Sequence, residues 1–218
     1  MTVHFQHELE KIKKAILSLG AMAEERVYMA TKAIVSSDQT IARKIIDHDF
    51  EIDEMEVEIE EECLKVLALH QPVAVDLRFI VAVIKINNDL ERIGDEAVNI
   101  AHRIIRMAKI GQSGMYFDYT DMVEKVRNML RKSLDSMVNL DLDEAYHVRM
   151  LDDEVDNIRD EAYEKMKGAI REDPEHLQYL VNLYLISRHL ERVADHATNI
   201  AEEVIYLIEG EIVRHGKF

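Results

Sequence analysis

Residues 86–101 read INNDLERIGDEAVNIA, and residues 186–201 read ISRHLERVADHATNIA. Leu90, Glu91, Arg92, Asp95, Ala97, Asn99, Ile100 and Ala101 recur in register as Leu190, Glu191, Arg192, Asp195, Ala197, Asn199, Ile200 and Ala201. Identity this dense over so short a window marks a duplicated structural unit. The repeat extends upstream: the stretch from Asp49 to Asp53 matches that from Asp152 to Asp156, at an offset of 103 rather than 100. The extra three residues of the first unit are expected in the turn between its second and third helices, where length changes are tolerated.

The unit is helical. With only 7 Gly and 2 Pro in 218 residues, the chain has little turn material and favours long helices over many short strands. Apolar residues keep a 3/4 spacing over 4–35 (Phe5, Leu9, Ile12, Ile16, Leu19, Met22, Met29, Ile34), which predicts an amphipathic first helix. A second helix is expected over 39–69, with Ile45, Ile52, Ile59 and Val66 in heptad register and Met55 and Leu69 on the alternate seam. A third is expected over 73–110, with the seam Ile86, Leu90, Ile93, Ala97, Ile100 and Ile104. Asp118 opens the fourth, which ends near Leu140. Asp141 or Asp143 caps the fifth, and Asp173 with Pro174 starts the sixth, which repeats the third helix's seam up to Gly210. Long helices joined by short turns pack antiparallel to bury their stripes. The expected fold is therefore all-α: two tandem, pseudo-symmetric antiparallel three-helix bundles. They divide at the glycine-rich break after Ile110 into residues 1–112 and 113–218, either side by side or as one elongated rod.

Several function classes drop out on composition. A net charge of −16 disfavours a nucleic-acid phosphate backbone and an anionic lipid surface. There is no apolar run long enough to span a membrane and no apolar signal region at the polar N-terminus, and Cys63 is the only cysteine. A cytoplasmic location is expected, without membrane insertion.

The chemistry, if any, lies in carboxylates. Glu91 and Asp95 stand four apart on one helical face and Asn99 continues the row; the second copy has Glu191, Asp195 and Asn199. The second helix of each unit adds Asp49 with Asp53, and Asp152 with Asp156. Like charges one turn apart repel, and a bound cation would relieve the repulsion. Oxygen donors from two helices suit Mg, Mn, Ca or iron, while a cysteine- or histidine-built structural zinc site is not expected. The alternative is a solvated acidic face, because the rows fall off the packing seam; both readings stand at this point. His102, His189 and His196 near the rows read as surface histidines, and Arg92 as an ion-pair partner of Glu96 at i,i+4. Met115, Tyr116 and Phe117 read as packing between the units. Glu144 with His147 is the one Glu-x-x-His motif, too few for an inward-facing di-iron centre.

The segments DLERIGDEAVNIA and HLERVADHATNIAEEVIYLIEGEIVRH, with PVAVDLR before the first, resemble the PhoU family of phosphate-signalling regulators over nearly the whole chain. The resemblance implies surface metal sites on a repeated Glu/Asp-x-x-x-Asp motif, here Asp49/Asp53 with Glu91/Asp95 and Asp152/Asp156 with Glu191/Asp195. The cation would be divalent or ferric (Mg, Mn, Zn or Fe). It also implies a non-enzymatic negative regulator that couples the phosphate ABC transporter ATPase to a sensor histidine kinase; a homodimer is expected as well. A carboxylate-bridged metal enzyme and a metal-free interaction scaffold are the alternatives.

Overall fold

The computed structural model describes residues 3–111 and 117–213. Its helices are α1 (Val3–Ser36), α2 (Gln39–Asp47), α3 (Phe50–His70), α4 (Ala74–Ile110), α5 (Thr120–Asn139), α6 (Leu142–Glu172) and α7 (Leu177–Glu209), with a 3₁₀ turn over Pro174–His176 before α7. There is no strand among the described residues, and no helix there is long and apolar enough to cross a membrane. The break at residues 112–113, with Met115 and Tyr116, lies outside the described residues. Phe117 is buried and packs edge-on against Tyr119, ring centroids 5.0 Å apart.

The first repeat is α1, α2–α3 and α4; the second is α5, α6 and α7. The repeats lie side by side, because α4 and α7 form the most extensive pairing in the molecule. The seam residues Ile86, Leu90, Ile93, Ala97, Ile100 and Ile104 are all buried, as are Ile186, Leu190, Val193, Ala197, Ile200 and Val204. A second stripe on α4, including Ile80, Val83, Asn87 and Glu96, is buried as well, so this helix is covered from two sides. The first helices also meet across the repeats. Gly20 of α1 lies so close to Leu134 of α5 that a Cβ there would sit 2.9 Å from its Cδ2.

The expected second helix is broken. His48 and Asp49 separate α2 from α3, with three-residue hydrogen bonds such as His48 N–H to Ile45 O replacing the α-helical ladder. Neither glycine nor proline is present to explain the break. Its cause is Arg26 of α1, a buried guanidinium that donates to the freed His48 carbonyl at 3.1 Å and pairs with Glu51. Ile45, Ile52, Ile59 and Val66 are nonetheless buried in a common row, whereas Leu69 is 68% exposed and belongs to no seam. Elsewhere Asp141 caps α6, its carboxylate accepting the Glu144 N–H at 3.1 Å. The Arg78 guanidinium lies against Gly210 at the C-terminal end of α7.

Polar contacts between α4 and α7 define their antiparallel register. Lys85 pairs with Glu203 at 3.1 Å, Asp89 with His196 at 2.8 Å, and Glu96 with both His189 at 2.6 Å and Arg192 at 2.9 Å. Positions 89 and 189 correspond in the repeat, as do 96 and 196. The two acid–histidine contacts are therefore one interaction seen twice about the internal pseudo-twofold axis, always with the acid on α4. Two sequence expectations are corrected here. His189 and His196 are enclosed rather than surface histidines, and Glu96 engages α7, while Arg92 turns to Glu91 and Asp95. His102 is exposed.

Gly94 shows how tightly the first repeat closes. A Cβ there would meet Ile52 Cδ1 at 3.0 Å and Cγ2 at 3.3 Å. The second repeat places Ala194 and Val155 at the corresponding positions, both fully buried, so the extra methyl has moved from one helix to the other. Gly94→Ala is therefore expected to lower stability by about 1 kcal/mol in urea denaturation despite its better helix propensity. Ile52→Val in the same chain should recover most of that loss. A cost that is strictly additive in the double variant would contradict this packing.

Burial pushes the Glu96 carboxyl up, but the His189 hydrogen bond and the His189 and Arg192 charges outweigh it and hold it below the usual range. Its stabilisation is complete above the ordinary carboxylate pKa and fades as pH falls through its lower folded value. Glu96→Ala, which strands His189 and Arg192, is expected to cost about 3 kcal/mol at pH 7. It should cost clearly less at pH 3, as read by denaturation at both values.

Candidate metal-binding faces

The carboxylate rows of α3 and α4 face one another in the first repeat, as do those of α6 and α7 in the second. Asp49 sits at the α2–α3 break, and its carboxyl is raised first by burial, then by Asp53 and Asp95, against the pull of Arg26. Glu91 is raised by burial and by Asp95, with Asp53 and Glu56 adding to it. Asp95 is raised by burial and by Asp53 and Glu96, with Arg92 opposing. Arg92 spans the face, its Nε 3.3 Å from Glu91 and its Nη1 3.2 Å from Asp95.

The second face is more strongly strained electrostatically. Burial and the nearby Asp195 charge push Asp152 up to about 6, although Thr198 donates to it at 3.2 Å. Burial, Glu191 and Asp156 push Asp195 up to about 6. Glu191 is buried, with Oε2 lacking any hydrogen-bond partner. Arg188 pairs with Glu191 at 3.0 Å, and Arg159 reaches Asp156 at 3.2 Å and Glu191 at 3.7 Å.

The faces are thus less open than the heptad register implies, because α4 and α7 are central helices. The two asparagines turn elsewhere. Asn99 Nδ2 donates to Glu96 at 3.5 Å and Asn199 Nδ2 to Asp89 at 3.1 Å, so both amides join the contact between the repeats. Among the described residues, no three His, Cys, Asp or Glu side chains converge closely enough to hold a metal ion. Arg92 pairs with the carboxylates of the first face, and Arg159 and Arg188 with those of the second. Arg92, Arg159 and Arg188 were not anticipated as members of these faces; their positions one to three residues from the acids on the same helices were the available signal. The donor chemistry nonetheless fits a hard cation: oxygen only, with Asp49, Glu91, Asp95, Asp152, Glu191 and Asp195 raised by burial and by neighbouring carboxylates.

Neither remaining cluster suggests catalysis. His147 is exposed and lies 3.8 Å from Glu144, with no inward partner motif. Cys63 is buried and its thiol is pushed up to about 12 by burial and by Glu60 and Glu62, so it is unreactive.

Comparison with known proteins matches this architecture throughout. The PhoU domain profile matches twice, over residues 16–104 and 119–204. The phosphate-specific transport system accessory protein PhoU homolog of Pseudomonas putida is 38% identical over 97% of this chain and 83% of its own length. The homolog of Aquifex aeolicus is 39% identical over 95% of this chain and 94% of its own. The crystal structure of PhoU from Pseudomonas aeruginosa superposes with a TM-score of 0.91 at 37% identity, covering 95% of this chain and 100% of that one. The phosphate transport system regulatory protein PhoU from Streptococcus pneumoniae gives 0.84 at 28% identity, with 96% and 99% coverage. Those proteins are named as accessory and regulatory proteins rather than enzymes. With both repeats matched and the whole described fold superposed, the chain belongs to the PhoU domain family.

Proposed function

We propose that this chain is an accessory regulator of phosphate uptake that catalyses no reaction. Its family supports this: relatives that span nearly the whole chain carry accessory names tied to the phosphate-specific transport system. In this reading it represses phosphate uptake and phosphate-starvation signalling from the cytoplasmic side. It bridges the phosphate ABC transporter ATPase and a sensor histidine kinase, and acts as a homodimer of chains whose repeats divide between residues 112 and 113.

The observation that carries the mechanistic part is the duplicated pair of facing carboxylate rows, in which Asp49, Glu91, Asp95, Asp152 and Asp195 are raised by burial and by neighbouring carboxylate charge. Each would take a divalent or ferric cation, Mg, Mn, Zn or Fe. Asp49, Asp53, Glu91 and Asp95 would hold it in the first repeat, with Asn99 at the end of the row. Asp152, Asp156, Glu191 and Asp195 would hold it in the second, with Asn199 at the equivalent place. The cation supplies the positive charge that Arg92, or Arg159 and Arg188, otherwise provide. Cation loading would therefore free arginines, changing the charge each repeat presents to a partner.

Protein purified without chelator is expected to carry near-stoichiometric metal by elemental analysis. The Asp49→Ala, Asp53→Ala, Glu91→Ala, Asp95→Ala variant should lose the first-face share and derepress phosphate-starvation genes in cells relying on it. Metal absent under every loading condition would sink the cation reading and leave a metal-free scaffold. Normal repression by the variant would remove this face from regulation.

Asp152 and Asp195 are raised from 3.8 to about 6, so between those values the metal-free folded protein binds more protons than the unfolded chain. Stability from these groups is highest below that window and is lost as pH rises through it. Asp195→Asn is expected to stabilise metal-free protein at pH 7 by up to about 1 kcal/mol after solvent screening. It should be neutral at pH 4 in thermal unfolding; a uniform effect at both values would contradict the repulsion described.

A further inference from the structure

We propose that the groove between the last turns of α4 and the first turns of α7 binds a small oxyanion of the phosphate or diphosphate class. Arg103, Arg106 and Lys109 line one side and Leu177, Val181 and Asn182 the other, around a space of about 600 Å³. Steps of three residues rise ~4.5 Å along a helix, so the cations cover ~9 Å, enough to span two linked phosphoryl groups. Two guanidinium forks and an ammonium suit a tetrahedral anion carrying more than one charge.

These cations have no counter-charge within ion-pair distance among the described residues. The protein has 43 acidic residues, yet among the described residues none of the three forms an ion pair. Arg103 is half-buried with its Nε enclosed and without an acceptor. Its guanidinium is held below its ordinary pKa by burial and by Arg106. Asn182 is 9% exposed; its Nδ2 donates to Gln178 O at 2.7 Å, and its Oδ1 has no partner. That oxygen can accept a hydrogen bond from a protonated phosphate. The first turn of α7 itself carries no acidic residue and no side-chain cap, with Asp173 and Glu175 in the turn that leads into it.

The internal repeat supplies a control. Where α4 has Arg103, Arg106 and Lys109, α7 has Glu203, Tyr206 and Glu209. The basic groove therefore exists at one end of the molecule only, and no shared packing role of the repeat accounts for it. A space of this size falls within the range of small-ligand sites, roughly 300–1,000 Å³.

The test is calorimetric titration of the chelator-treated full chain at low salt, so that no metal bridges the anion, with inorganic phosphate, pyrophosphate and sulfate as probes. Saturable binding at a single site is expected, with pyrophosphate tighter than phosphate. Sulfate, which has no proton to offer Asn182, should be weaker. Arg106→Gln and Lys109→Gln, both exposed positions, should keep the helical circular dichroism and each weaken pyrophosphate about tenfold. Arg131→Gln, at an exposed cation on α5, should change nothing. No saturable binding of any probe would overturn the proposal. So would an equal loss in Arg131→Gln, or sulfate binding as tightly as phosphate. The site is independent of the cation faces: Asp95→Asn should leave it unaltered, so either reading can fail alone.

Discussion

The antiparallel contact of α4 with α7 is the constraint on which the rest of the structure depends. Each is the third helix of its own bundle and also the neighbour of the other. Each must therefore bury one apolar stripe against its own repeat and a second surface against the opposite one. The second surface is not purely apolar. It carries Lys85, Asp89 and Glu96 against Glu203, His196, His189 and Arg192, so register is set by charged hydrogen bonds within a well-packed seam. Once α4 and α7 are in register, the faces they share with α3 and α6 follow on opposite flanks of one core.

This explains what the sequence could and could not reveal. Seam residues such as Leu90 and Leu190, the cap at Asp141 and most helix ends are local in origin, and local periodicity shows them. The α2–α3 break is invisible locally, because its cause is Arg26, more than twenty residues upstream. The burial of His189, His196 and Glu191 escapes a heptad reading for a related reason. A heptad assigns one seam, and a helix packed on two sides has residues off that seam that are still enclosed. The carboxylate pairs were legible from spacing and duplication. Their arginine partners, and the turn of Asn99 and Asn199 toward Glu96 and Asp89, required knowing which helices meet.

The two carboxylate faces and the basic groove share a physical logic. In each, groups of one sign are partly removed from water without full compensation by the opposite sign. Other charged residues avoid this by pairing locally at the surface, as Lys65 does with Glu62 and Lys167 with Glu164. Uncompensated charge in a chain so rich in available partners marks where function places demands beyond those of folding.

The acid–histidine exchange between the repeats also bears on how copies of this chain recognise each other. Were α4 to pack in the same way on α4 of another molecule, Asp89 and Glu96 would face a second Glu96 and Asp89, gathering four carboxylates with no histidine between them. Two α7 helices would likewise oppose His189 and His196 to their own kind. Only the unlike pair satisfies both members. The duplicated unit has thus diverged into a lock and its key, and the surface that joins the two lobes discriminates against runaway association through that same surface.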